Sequence, residues 1–216
     1  MSNQKLEQDV TDELFWDPKI DSEAVAVAAA DGMVTLRGTV GSFRQKQEAQ
    51  KAAERVYGVV DVDNELDVRL LDEQRREDAE VRGDVLQALM LDALVPGSVD
   101  ANVKGGIVTL TGVASWQYQR AEAAFVAGNI LGVLGVENDI YLDNPGPYAD
   151  DVKDSITKAL ERDAKLDAGD VVVETLDGTA ILSGNVSSWA EHDAAVSAAW
   201  SAPGVTAVDD RLSVSY

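Results

Sequence analysis

The sequence predicts an α+β fold of three tandem units, each running helix, strand, strand, helix, strand (αββαβ), with two helices on one face of a small three-stranded mixed sheet. Two observations carry this. A set of three glycines recurs three times at identical spacing, and the segments around them switch between the two-residue period of strands and the 3.6-residue period of helices. The first glycines are Gly32, Gly106 and Gly178; Gly38, Gly112 and Gly184 follow six residues on, and Gly58, Gly132 and Gly204 twenty beyond those. The units are read as residues 1–72, 73–146 and 147–216.

Each unit opens on an amphipathic helix, marked by Leu6, Val10 and Leu14 in the first, Val85 and Leu89 with Leu86 and Met90 in the second, and Val152, Ile156 and Leu160 in the third. An apolar run follows ("AVAVAAA" at 24–30, "VVVETL" at 171–176), then Asp31-Gly32, Gly105-Gly106 or Asp177-Gly178, then "MVTL" or its counterpart. These dipeptides tolerate the positive φ of a two-residue hairpin turn, so each reads as two strands around a tight turn. The next nineteen residues place Ala49, Ala52, Ala53 and Val56 on one helical face, as they do Ala123, Val126, Ala127 and Ile130, and Ala195, Ala198, Ala199 and Ala202. Such small side chains let a helix approach a sheet closely. The third glycine is then expected as the left-handed residue closing the helix, and the second as a strand end. A last strand follows, in which Val62, Asn64, Leu66 and Val68 alternate with acidic residues.

The 216 residues carry 18 basic and 39 acidic side chains, a net charge of −21. The acidity is even: −7, −6 and −8 for the three units. Nucleic-acid binding rests on Lys and Arg neutralising phosphates, so it is not expected here. No glycine pattern resembles a phosphate cradle, so no nucleotide is expected either. The chain has no cysteine. The single histidine, His192, takes a position where the other units have Lys46 and Arg120, which reads as a solvated helix face rather than a general base. Acidic pairs (Glu77-Asp78, Asp150-Asp151, Asp209-Asp210) read as solvated charge without a calcium loop. The expectation is no enzyme, no cofactor and no metal.

The aromatic residues outside the repeated pattern are the contact candidates: Trp16 in "LFWDPKID", and Trp116, Tyr118 and Arg120 in "WQYQR" at the entrance of the second unit's helix. Aromatic and Arg side chains suit both protein interfaces and the headgroup level of a bilayer. Arg75, Arg76, Arg82 and Arg120 could form a local basic patch despite the net charge. Trp200 is expected in a core or between repeats. Between units, 71–80 reads as a charged segment able to extend the next helix, and Pro145-Gly146-Pro147 as a non-helical linker.

The string "DGMVTLRGTV", a helix, then "GVVDVDNELDV" resembles the BON domain family of bacterial osmotically inducible and nodulation-type proteins, and all three units match. "LFWDPKID", "SWQYQRAEAA" and "AAWSAPGV" extend the resemblance to triple-BON proteins. The resemblance implies a non-catalytic, stress-linked module that attaches to phospholipid or to other proteins. Its members are often exported or anchored, whereas the acidic start "MSNQKLEQDVTDELF" lacks the basic end and apolar run of a signal peptide. The resulting expectation is a cytoplasmic interaction scaffold with a protein partner, and as second reading a protein of the phospholipid surface.

Overall fold

The computed structural model describes residues 2–70, 76–143, 149–162 and 171–215, with the side chains of 149–151 outside the description. The linker segments 71–75 and 144–148, with Arg75 and Pro145-Gly146-Pro147, lie outside the described residues. The elements are α1 (Asn3–Trp16), β1 (Val25–Ala30), β2 (Met33–Val40), α2 (Phe43–Glu54), β3 (Asp61–Val68), α3 (Asp78–Leu91), β4 (Asp100–Lys104), β5 (Ile107–Thr111), β6 (Val113–Ala114), α4 (Gln117–Gly128), β7 (Gly135–Asn138), β8 (Tyr141–Leu142), α5 (Ala149–Arg162), β9 (Val171–Leu176), β10 (Thr179–Val186), α6 (Trp189–Trp200) and β11 (Ala207–Val214). The chain falls into two compact units, residues 1–112 with 120–140, and 113–119 with 141–216.

In the first unit, β1 pairs antiparallel with β2 and β3 lies parallel to β2; β4, β5 and β7 repeat this order. The parallel pair requires a crossover, which α2 supplies. Helix α1 packs on β1, α2 on β3 and β2, and the two helices touch each other. Leu6, Val10 and Leu14 meet Val34, Leu36, Ala49, Ala52 and Ala53 in one core, and the three alanines are fully buried, as their lack of bulk allows. The second unit holds the short parallel pair β6 and β8 and the sheet β9-β10-β11, again antiparallel then parallel, under α5 and α6. Its core joins Val152, Ile156 and Leu160 to Leu182, Ala195 and Ala199, with Trp200 half-buried against it.

The three glycine sets prove to be one device. Both central residues of each hairpin turn have positive φ (Asp31 51° and Gly32 86°; Gly105 59° and Gly106 77°; Asp177 48° and Gly178 78°), the conformation of a type I′ turn. The third glycine is not the helix-closing residue: Gly58, Gly132 and Gly204 stand four residues beyond the last helical residue. Each is the third residue of a β-turn closed by Val59, Val133 or Val205 donating to the carbonyl of Val56, Ile130 or Ala202. At φ 94°, 100° and 90° they meet that turn position's demand for glycine. This turn stacks on the hairpin: the Gly32 carbonyl accepts from the Val60 N–H at 2.8 Å, Gly106 from Leu134 at 2.9 Å, and Gly178 from Thr206 at 2.8 Å. The second glycine is a strand end only in the second repeat, where Gly112 follows the last residue of β5. Gly38 and Gly184 sit inside β2 and β10, and a Cβ on Gly38 would fall 1.9 Å from the Ala24 carbonyl oxygen.

One helix face differs from expectation. In α3 the buried residues are Val81, Val85 and Leu89, while Met90 points outward, because the spacing of four places it off the buried stripe.

Candidate interaction surfaces

Trp16 ends α1 and is 78 % exposed, its ring edge-on to Phe15 with centroids 5.4 Å apart. In the second repeat Met90 and Leu91 occupy the matching last turn of α3 and are also exposed, whereas the third has Glu161 and Arg162 there. Trp116 is half-buried and takes the place that Ser42 and Ser188 hold as helix caps. A tryptophan cannot accept an amide bond as serine does, so the Gln119 N–H, which a serine would cap, donates to the Trp116 carbonyl at 3.1 Å, while the Gln119 Oε1 accepts from the N–H groups of Ser115 and Trp116, each at 3.1 Å. Tyr118 is 55 % exposed. Residues two apart on a helix do not share a face, so Tyr118 stands off the side on which Trp116 and Arg120, four apart, lie.

Arg120 is drawn inward. Its Nη2 donates to the Asn138 carbonyl at 2.9 Å, and the Asn138 Nδ2 donates to the Arg120 carbonyl at 2.8 Å. Asn64 makes the corresponding bond to the Lys46 carbonyl. In the third repeat the pair is rewritten: His192 Nε2 lies 2.7 Å from Asp210 Oδ2, and Asp193 sits 3.3 Å from Nδ1. The Asp193 hydrogen bond raises the imidazole's pKa, burial opposes it, and the Asp210 charge adds to the rise, leaving it above its ordinary value. The position read as a solvated helix face therefore carries a half-buried ion pair. Arg76 pairs with Asp84 and Glu80, and the Arg82 Nε donates to the Ala101 carbonyl at 2.7 Å, so these arginines also have partners.

Two further features escaped the sequence reading. Glu48, 3 % exposed, is held by Arg44 at 2.7 Å and Lys19 at 3.0 Å. Burial alone would raise its pKa, but the two cations outweigh that and hold it low. Arg44 also lies 4.4 Å over the Phe125 ring, while Phe43 packs against Gly128, so α2 and α4 clasp each other within the first unit. Asp78 accepts from the N–H groups of Gly105 and Gly106 at 2.7 and 2.9 Å, bonds that lower its pKa. As the alternation in the sequence predicts, β3 presents Asp61, Asp63, Glu65 and Asp67 as an exposed carboxylate row, with Glu65 paired to Arg37. Among the described residues no group of three His, Asp or Glu side chains is arranged to hold a metal ion, and no helix is long and apolar enough to cross a membrane.

The BON domain model matches residues 2–69, 77–144 and 149–216. The chain belongs to the BON domain family. It is 32 % identical over 126 residues to the osmotically-inducible protein Y of Escherichia coli K12, an alignment spanning 56 % of this chain and 63 % of that protein. Two solved structures of CdsD, a structural protein of the type III secretion system of Chlamydia trachomatis, align at 17 % and 16 % identity. They cover 96 % and 100 % of this chain and 91 % and 100 % of theirs, with TM-scores of 0.27 and 0.28. In this BON chain the hairpin, the stacked turn and the buried alanines repeat, and the exposed tips do not.

Proposed function

We propose that the chain is a non-catalytic, osmotic-stress-linked interaction scaffold of the cytoplasm, whose three BON repeats share a frame and offer different surfaces to protein partners. One observation carries this reading: residues that recur between repeats lie in turns and cores, while exposed positions diverge from Phe15-Trp16 to Met90-Leu91 to Glu161-Arg162. Divergent surfaces on one tether gain effective concentration for partners that touch more than one. The similarity to an osmotically-inducible protein supports the stress link. Cross-linking in cells before and after osmotic upshift, with the wild type and a Phe15→Ser, Trp16→Ser variant, tests it. The expected result is a discrete protein adduct that grows after upshift and that the variant loses; adducts identical in both chains and both conditions would refute it.

The exposed aromatic tip of α1 also favours a second reading, attachment to a phospholipid surface, where Trp rings sit at the headgroup level. The net charge of −21 weighs against an anionic leaflet, which attracts basic segments.

A further inference from the structure

The outer strand of the first repeat is open where its counterpart in the second is closed. In the hairpin, Ala30 and Met33 flank a two-residue turn, and Ala28 with Thr35 and Ala26 with Arg37 continue that hydrogen-bonded set. The Thr39 N–H donating to the Ala24 carbonyl at 3.1 Å fits the same parity. Hence the N–H and C=O groups of Val27 and Ala29 point away from β2, and β1 is the last strand of its sheet. In β4 the residue equivalent to Val27 is Ala101, and its outward carbonyl is the one that Arg82 of α3 occupies. At that position of the first helix the first repeat has Glu7 and the third has Lys153. A carboxylate has no proton to donate to the Val27 carbonyl. Charged residues that blunt edges elsewhere are also missing: Ala26, Ala28 and Ala30 stand on the exposed side of β1 where β4 has Asp100, Asn102 and Lys104.

Beside this edge runs a groove of about 530 Å³ between the end of α1 and β1. Its floor includes Leu14, Ile20, Val25 and Val27, its wall Phe15, and its charged lining is wholly acidic: Asp12, Asp21 and Glu23. An edge whose outward main-chain groups meet no further strand among the described residues, beside an apolar groove, is the arrangement by which sheets capture extended peptides, the backbone giving affinity and alternate side chains entering the groove. We propose that β1 is a docking edge for an extended protein segment with apolar residues at alternate positions and Lys or Arg between them. This deepens the scaffold reading and rests on it. The acidic lining decides the occupant: a second copy would bring its own Asp12, Asp21 and Glu23 against these.

The test uses the full chain and a fluorescent peptide, Lys-Val-Lys-Val-Lys-Val-Lys, followed by polarisation and by exchange of backbone amides. The expected result is saturable binding, with new protection at the Val27 and Ala29 amides and none at Ala101. Glu7→Arg, which copies the closure by Arg82, weakens binding about tenfold or more, the worth of a lost hydrogen bond and a reversed charge. Ala28→Lys, which blunts the edge without touching α1, does the same if the first variant unfolds. Equal binding of a peptide with the same residues in blocks, unchanged affinity in both folded variants, no binding at all, or dimerisation of the chain that Glu7→Arg abolishes would each overturn the assignment. Loss of this docking with the upshift-dependent cross-link intact would reject the edge and leave the scaffold standing.

Discussion

Replacing Gly38 with alanine should strongly destabilise the first repeat, and the size of the effect follows from two features of the structure. The residue has φ 124°, and side chains held in such sparsely populated backbone regions cost about 1–3 kcal/mol. The added Cβ would lie 1.9 Å from the Ala24 carbonyl oxygen, far inside the ~3.3–3.6 Å of close C···O contacts. That oxygen accepts from Thr39 and belongs to main chain, so relief requires moving β1 off β2 and losing at least one ladder bond, about 1 kcal/mol more. A repeat of this length holds only roughly 3–10 kcal/mol in total, so a loss of about 2–4 kcal/mol leaves it marginal. Peptide-resolved hydrogen exchange under a urea series is the assay, since three repeats need not unfold together. Segments of β1 and β2 should lose protection at lower urea, with β9 and β10 unchanged. Gly83→Ala is the control: it lies within α3, where a Cβ meets nothing within 4 Å, and should stabilise by about 0.5–1 kcal/mol. A Gly38→Ala cost below about 0.5 kcal/mol, no larger than a neutral surface change, would refute the close-approach argument.

Glu48→Gln should destabilise the first unit by about 1–3 kcal/mol, below the full figure for a buried pair because Lys19 and Arg44 reach solvent. Its pKa is lowered, so this stabilisation is complete above the ordinary value near 4.5 and is lost as pH falls through the folded value; urea unfolding at pH 7 and pH 3 should show the gap between wild type and variant closing. His192 runs the other way. With its pKa raised, its contribution is complete below about 6.5 and disappears as pH rises through the folded value, so His192→Gln should cost about 1.5–3 kcal/mol at pH 5.5 and little at pH 9, read from exchange in β11. Asp78→Ala should leave the helix and sheets in place while the Gly105 and Gly106 amides exchange faster, which NMR exchange measures directly.

What could be read in the sequence was what is decided locally. A type I′ turn demands two positive φ values, so Asp31-Gly32 and Asp177-Gly178 announce their hairpins, and buried alanines at helical spacing announce a helix close to a sheet. The third glycine was assigned to the wrong turn because a helix cap and a β-turn just beyond it both want glycine, and only the hydrogen bond from Val59 to Val56 separates them. His192 looked solvated because its pairing with Asp210 depends on β11 folding back under α6, a contact between residues eighteen apart in position but in different elements. Of Trp116, Tyr118 and Arg120, the helix keeps the first and last, four apart, on one side and turns Tyr118 away, a separation that adjacency in sequence does not convey. The difference between the Glu7 and Arg82 edges was visible as letters, but its meaning required knowing which carbonyls face outward.

Co-sedimentation with vesicles is the measurement that tests most directly whether these surfaces serve proteins or lipid. The purified chain, with Trp16→Ala, Trp116→Ala and Arg120→Ala variants, is spun with neutral and with anionic phospholipid vesicles at low and moderate salt. The account predicts that wild type and variants stay in the supernatant throughout, as a chain of net charge −21 should beside an anionic surface. Wild-type protein pelleting with the vesicles, and released by the tryptophan substitutions, would contradict it and assign the exposed rings to the bilayer.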